Sequence, residues 1–325
     1  MLAYALRRLG FSVVVLLLST IVVFILVAES GNPLAELLSN PHVPHATIVA
    51  REKLLHLDLP LWDRYWIWFS HAIRGDFGQT IAYQPVGSQL WQHFGVTLRM
   101  VIAAVVVAIV AGIGVGVFAA LHSGRVGDRA SMTLNFLFLS VPTFVIGLLL
   151  KEFVAIPLNQ HVNRTIFYTS GEQSPTLTGG FVSRMPDYLA HTALPVITLV
   201  LITYSAWAIY QRSATLEAID SDFVRLARAK GISPRRVLAR HVIRNALIPV
   251  TTVIALDFAA ILGGAIITEQ VFNWQGMGTW FLQGVSTLDI NIVLAYLLVT
   301  AIFVVGFNLL ADVLYAFLDP RIRYD

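Results

Sequence analysis

The chain has 325 residues, of which 57% are hydrophobic and only 13% are charged, against roughly 25% charged residues in a soluble domain. This composition predicts an all-α protein that crosses the lipid bilayer several times. The absence of cysteine excludes disulfides and thiolate metal sites, and none of the three lysines follows a glycine, which excludes a phosphate-binding Walker loop. We therefore expect no catalytic residue, no metal site and no cofactor on this chain.

The first element is an apolar run over about 11–28. It is longer than the core of a signal peptide, and Glu29-Ser30-Gly31 offers no small-x-small cleavage site. The run therefore predicts a membrane-spanning helix, and we assign residues 1–30 to an N-terminal end and a first span.

The segment 31–95 is the longest polar part of the chain and predicts a small extramembrane module. Helical spacing places five apolar side chains on one face within it: Trp62, Tyr65, Trp66, Phe69 and Ile73. An aromatic face of this kind fits either the bilayer interface or a protein partner.

Five further apolar runs are each long enough to cross a bilayer: about 96–121, 132–153, 189–211, 246–268 and 290–316. Six spans place both termini on one side of the membrane. Fourteen of the 22 Lys and Arg residues fall on that side, which the positive-inside rule identifies as the cytoplasm. The segment 31–95 is then extracytoplasmic, and 96–325 is a five-helix core.

The second apolar run contains glycines at 112, 114 and 116. Glycines four residues apart let two helices approach closely in lipid. The pair Gly112 and Gly116 therefore predicts a close helix–helix contact, and no strand precedes the glycines to make them a nucleotide-binding fingerprint.

Three residues inside the apolar runs are predicted to line a translocation path. Pro142 and Pro195 would each break local backbone hydrogen bonds, which is tolerable only against protein or a water-filled path. Asp257 is a carboxylate well inside a span, where a charge costs about 2.5–3.5 kcal/mol on insertion scales. The alternative role for Asp257 is to accept a hydrogen bond from a neighbouring helix.

The segment 212–245 is a basic stretch between two apolar runs. Apolar residues at steps of three and four predict a helix with one apolar stripe: Leu216, Ile219, Phe223 and Leu226. The opposite face of that helix is predicted to carry Asp222, Arg225 and Arg228.

Gly231 is predicted to end this helix, because glycine accepts the left-handed backbone that closes a helix. Ser233 and Pro234 then supply the N-cap and the first turn of a second basic helix, which carries Arg235 and Arg236. Two short basic helices bent at a glycine form a compact knob that needs a partner, and a solvated loop is the simpler alternative.

The chain resembles the integral-membrane permeases of the dipeptide/oligopeptide branch of bacterial ABC importers, in particular the B-type subunit. The resemblance rests on the run from Asp222 to Gly231 (DFVRLARAKG) followed by 244–249 (RNALIP), which corresponds to the cytoplasmic loop of that branch. Further matches are 74–78 (RGDFG), 140–142 (SVP) and 319–323 (DPRIR). Arg225-Leu226-Ala227 departs from the Glu-Ala-Ala of the wider superfamily, and Asn291 stands where the branch usually has a proline.

The resemblance implies a type I ABC importer permease with six transmembrane helices and cytoplasmic coupling helices in 212–245 that sit in a groove of an ATPase. It implies a coupling role for Asp222, Arg225, Ala227, Arg228, Gly231, Arg235 and Arg236. The implied complex contains a second homologous permease subunit, two ABC ATPase subunits that bind ATP and Mg, and an extracytoplasmic substrate-binding protein, in a bacterial plasma membrane. We expect contacts with the binding protein at Trp62, Trp66, Arg74 and Asp76, and no contact with nucleic acid.

Short peptides are the implied substrates, and related branches that carry nickel, glutathione or another small solute supply the alternatives. An ion-coupled secondary transporter is a second class, for which Asp257 supplies one ionisable group along the path. A membrane-anchored regulator is a third class, because a glycine-bent pair of basic helices resembles a helix-turn-helix, although the flanking spans disfavour it.

Overall fold

The computed structural model describes residues 2–175 and 180–318, and within these ranges the chain is helical apart from turns and one isolated bridge between Gln79 and Pro85. The α-helices of the described ranges are α1 Leu2–Glu29, α2 Ala35–Ser39, α3 His45–Leu54, α4 Leu61–Ala72, α5 Val86–Leu121, α6 Val126–Ser140, α7 Thr143–Leu149, α8 Ile156–Val162, α9 Phe181–Ile219, α10 Asp222–Ala229, α11 Pro234–Val237, α12 Arg244–Val271, α13 Met277–Ser286 and α14 Ile290–Leu318. Two π-helical segments join α7 to α8 and α11 to α12: Leu150–Ala155 and Leu238–Ile243. The predicted all-α fold class is confirmed, and the motif at 319–323 lies outside the described residues.

Six helices of the described ranges are long and apolar enough to cross a membrane: Gly10–Glu29, Val86–Leu121, Thr143–Val162, Val182–Ile219, Pro234–Phe258 and Ile290–Leu309. The predicted number of spans is therefore confirmed. Many apolar side chains on these helices are exposed on the isolated chain, as on α1, where Phe11 is 68% exposed and Leu26 is 61% exposed. Surfaces of this kind fit contact with lipid or with another chain.

The third apolar run differs from the prediction. Proline has no N–H and disfavours helical geometry at the preceding residue, and Val141 accordingly has an extended backbone, with φ −99° and ψ 129°. The run predicted over 132–153 is therefore two helices, and Pro142 lies exposed at their junction rather than inside a span. Pro195 is buried inside α9, which continues past it.

The described chain divides into two compact units. Among the described residues, the first contains 2–97 and 275–305, and the second contains 98–175, 180–274 and 306–318. In the second unit the long helix α9 packs against α6, α7 and α12.

The close helix contact predicted at the glycines joins α5 to α9. A Cβ atom at Gly116 would lie 2.6 Å from Gln211 Cβ, and one at Gly112 would lie 3.0 Å from Trp207 Cβ. At Gly114 such an atom would meet nothing within 4 Å. The contact is therefore confirmed for the two glycines that are four residues apart.

In the first unit, α4 packs against α1 through Tyr65. This residue is 1% exposed, its hydroxyl lies 3.0 Å from Thr20 Oγ1, and its ring meets Phe24 edge-on. Trp62 and Trp66, by contrast, are 54% and 56% exposed. The predicted aromatic face is therefore divided, because Tyr65 packs inward while the two tryptophans remain accessible.

Candidate functional site

The basic segment forms a compact knob, which we define as residues 218–246. Helix α9 ends at Ile219, and Ser221 adopts an extended backbone, with ψ 151°, before α10 begins at Asp222. Serine is a favoured residue at this position, since its side chain competes with regular helical hydrogen bonding. The single helix predicted through 216–229 is therefore two helices.

This break changes the face that α10 buries. Val224 and Ala227 are buried, whereas Phe223 is 43% exposed and Leu226 is 57% exposed. The predicted apolar stripe is therefore wrong, because helical spacing does not continue across the bend at Ser221. The buried side chains of the knob form a small core of their own: Ala218, Val224, Ala227, Val237, Val242 and Ala246.

Gly231 ends α10 as predicted, with a left-handed φ of +74°. Its N–H donates to the Arg228 carbonyl at 3.0 Å, and the Ile232 N–H donates to the Ala227 carbonyl at 3.3 Å. This pattern of two bonds is a Schellman motif, which satisfies the last carbonyls of a helix and turns the chain sharply.

The second helix of the knob is longer than predicted. Ser233 precedes Pro234 at the first position of α11, as expected. From there α11 continues through the π-helical segment into α12, which ends at Val271. The knob is therefore joined without a break to a membrane-spanning helix.

The surface of the knob combines basic and apolar groups. Six of the seven residues assigned a coupling role are exposed: Asp222, Arg225, Arg228, Gly231, Arg235 and Arg236. Ala227 is buried and belongs to the core of the knob. The 3.3 Å ion pair between Arg225 and Asp222 is exposed and adds little stability. Phe223 and Leu226 lie among the arginines. Both were predicted to belong to the apolar stripe of a longer helix and not to this surface, although Ser221 before Asp222 is a helix-start signal.

A partly buried ion pair fixes the base of the knob. Arg212 on α9 donates to both carboxylate oxygens of Asp128 on α6, at 2.6 and 2.7 Å. The Gly124 N–H also donates to Asp128, and the bond from Arg212 lowers the pKa of this carboxyl group. A two-pronged pair of this kind restricts orientation as well as distance, so the end of α9 is held firmly against α6.

Asp257 has a hydrogen-bond donor on a neighbouring helix. The indole Nε1–H of Trp207 on α9 donates to Asp257 Oδ2 at 2.8 Å, and Trp207 is 1% exposed. This is the structural role considered as the alternative for Asp257, and a role in the path stays a prediction. Trp207 was missed, although a tryptophan within a membrane span needs an acceptor for its N–H.

Replacing Asp257 with Asn tests its charge, because asparagine keeps an oxygen that can accept from Trp207. If the carboxylate attracts a cationic group of the substrate, we expect uptake to slow by about two- to tenfold with normal expression, since attraction and dehydration largely offset each other. The measurement is initial uptake rate in membrane vesicles. Wild-type uptake in Asp257→Asn together with poor assembly of Asp257→Leu would show that the residue acts in packing alone.

Four residues of the first unit were predicted to contact a binding protein: Trp62, Trp66, Arg74 and Asp76. All four are exposed, and Asp76 accepts a hydrogen bond from the Gly78 N–H at 2.9 Å. Gly75 and Gly78 adopt left-handed φ values of +84° and +76°, which turn the chain sharply after α4. The contact itself stays a prediction.

Comparisons with known proteins agree with this geometry. Residues 112–324 match the family described as binding-protein-dependent transport system inner membrane component. The oligopeptide transport system permease protein OppB of Mycobacterium tuberculosis is 42% identical over 321 residues, which cover 98% of each chain. The glutathione transport system permease protein GsiC of Salmonella typhi is 33% identical over 325 residues, which cover 100% of each chain.

Among solved structures, the inward-facing MetNI methionine ABC transporter matches with a TM-score of 0.55 at 16% identity, covering 71% of this chain and 96% of that one. At this identity the match supports the fold alone. Together with six membrane-spanning helices and a full-length match to OppB, the family match leads to one conclusion: the chain belongs to the binding-protein-dependent transport system inner membrane components.

Proposed function

We propose that this chain is the permease subunit of an ATP-driven importer of short peptides, in which it forms half of the translocation path. The observation that carries the proposal is the knob, a basic and apolar surface on its own small core between two membrane-spanning helices. A surface of exposed Phe223 and Leu226 surrounded by arginines suits a partner groove with apolar and acidic groups.

The contacts around the knob suggest how it transmits motion. Force on α10 reaches the end of α9 through the shared core of the knob, and the Arg212–Asp128 pair passes it on to α6. The same force reaches α12, because α11 continues into it. Helices α9 and α12 meet again at the Trp207–Asp257 bond. Movement of the knob would therefore shift the helices of the path between inward-open and outward-open arrangements.

The partners follow from the same proposal. A second homologous permease completes the path, two ATPases bind ATP and Mg and receive the knob, and a substrate-binding protein docks on the extracytoplasmic side. The distribution of Lys and Arg supports cytoplasmic termini in a bacterial plasma membrane. Site-specific cross-linking from position 62 would test docking, and cross-links to lipid alone would contradict it.

The substrate class is supported by the relatives. The full-length match to OppB favours short peptides. The match to GsiC favours glutathione as a second candidate, which is itself a short peptide with a free carboxylate and amine.

Uptake into proteoliposomes tests the function. With the whole complex reconstituted, we expect uptake of a labelled dipeptide only when ATP, Mg and the binding protein are present, because this chain carries no nucleotide-binding motif. A proton gradient without ATP should give no uptake. Uptake driven by the gradient alone would support a secondary transporter, and competition by glutathione but not by peptides would support the second substrate.

A further inference from the structure

A cavity of about 350 Å³ lies within the first unit, between α1, α4, the turn after α4 and the start of α14. A second cavity of about 270 Å³ lies beside the end of α1. Arg64 lines both cavities, and Trp68 lines the larger one. Neither residue has a role predicted from the sequence.

Both residues carry hydrogen-bond donors without an acceptor. Within the described part of the chain the buried Nε–H of Arg64 has no acceptor, and the half-buried guanidinium lies 5.7 Å from the centre of the Phe24 ring. Trp68 is 6% exposed, and its indole Nε1 is likewise without an acceptor in the described ranges. Burial lowers the pKa of Arg64, as expected for a partly dehydrated cation without a counterion. Buried donors are usually satisfied, so this pair indicates a missing acceptor.

The position of the cavities indicates where that acceptor comes from. Phe24, Val27 and Ala28 belong to the end of a membrane-spanning helix that finishes at Glu29, and Ile290 begins another. Helix ends of this kind lie at the depth of the lipid headgroups. Leu38, which lines the second cavity, and Leu54, which lines the first, are 53% and 37% exposed and offer an adjacent apolar surface for acyl chains.

We propose that Arg64 and Trp68 bind the phosphate of a phospholipid headgroup, with the acyl chains against the exposed Leu38 and Leu54. A guanidinium and an indole N–H are donors suited to phosphate oxygens. The proposal is independent of the transported substrate.

The acidic groups near Arg64 restrict the type of headgroup. Asp289 accepts from the Ile81 N–H, and Asp76 accepts from the Gly78 N–H, while Glu52 lines the second cavity. None of the three pairs with Arg64 in the described structure, and together they disfavour a headgroup with excess negative charge. A zwitterionic headgroup fits better, because its ammonium group can face these carboxylates. Phosphatidylethanolamine is therefore the probe.

Native mass spectrometry of the delipidated, full-length chain in its purified complex measures the binding. The chain is titrated with phosphatidylethanolamine, with diacylglycerol, which has the same acyl chains and no phosphate, and with the soluble headgroup glycerophosphoethanolamine. We expect Arg64→Gln to weaken phosphatidylethanolamine binding by about tenfold or more and Trp68→Phe by about two- to fivefold, because each loses donors to the phosphate. Lys53→Gln, which removes an exposed cation from the same module, should bind like the wild type.

A further variant and the two comparison ligands show whether the loss of binding reflects a lipid phosphate site. Arg64→Lys keeps the charge and should retain part of the affinity, which separates loss of binding from loss of folding. Equal binding of phosphatidylethanolamine by wild type and Arg64→Gln would overturn the proposal. The proposal would also be overturned if Arg64→Gln weakened the binding of diacylglycerol by the same factor as the binding of phosphatidylethanolamine. Displacement of the lipid by millimolar soluble headgroup would assign the site to a free phosphate ester instead.

Discussion

Replacing Gly231 with valine is expected to uncouple transport from ATP hydrolysis while the chain still inserts into the membrane. Gly231 has a φ of +74°, and a side chain placed there would meet nothing within 4 Å. The effect is therefore one of backbone conformation, with a strain of about 1–2 kcal/mol that is larger for a β-branched residue. Relief of that strain would open the Schellman motif and turn α10 away from α11, so the exposed face of Phe223 and Leu226 would no longer match its partner.

A shift of about 1–2 kcal/mol lowers the population of the correct arrangement by about 5- to 30-fold, and we expect ATP-dependent uptake to fall by a similar factor. Gly171→Val is the matched control, because Gly171 has a φ of +81°, also has nothing within 4 Å and lies outside the knob. Uptake and substrate-stimulated ATP hydrolysis are measured on both variants at equal expression. Normal coupling in Gly231→Val, or equal losses in both variants, would contradict the role of the knob.

Features set by local chemistry were predicted well from the sequence. The six spans follow from the length of the apolar runs, and the bend at Gly231 follows from the tolerance of glycine for positive φ. The same reasoning was wrong at Ser221, because the apolar spacing around it was compatible with one continuous helix. A single extended residue there decides which face of α10 is buried.

Features set by distant contacts could not be predicted in the same way. Nothing in the spacing of α4 shows that Tyr65 meets Thr20 while its neighbour Trp66 stays exposed. The hydrogen-bond partner of Asp257 is 50 residues away in the chain. Arg64 and Trp68 can be assigned a binding role only because the fold places both of them in the wall of one cavity. For Asp257, Arg64 and Trp68 the sequence shows a polar group that needs a hydrogen-bond partner, and only the fold shows which partner is within reach.

Replacing Gly116 with valine is expected to separate α5 from α9 and to cause a much larger loss of stability than the same change at Gly114. A Cβ atom at Gly116 would lie 2.6 Å from Gln211 Cβ and 2.7 Å from the Ala208 carbonyl oxygen, which is backbone and cannot rotate away. Overpacking of this kind costs about 1–3 kcal/mol or more. The displacement would also reach Trp207, four residues before Gln211, and with it the bond to Asp257.

Gly114→Val makes the same chemical change two residues away on the exposed side of α5, where nothing lies within 4 Å. We expect this control to change stability by no more than about 0.5 kcal/mol, since it creates no overlap. Thermal unfolding of the purified protein in detergent and the yield of membrane-inserted chain compare the two variants directly. Because both changes add the same β-branched side chain to the same helix, helix propensity is matched, and only the contact with α9 differs. Equal melting temperatures for Gly116→Val and Gly114→Val would show that α5 and α9 do not approach as closely in the membrane as their glycines permit.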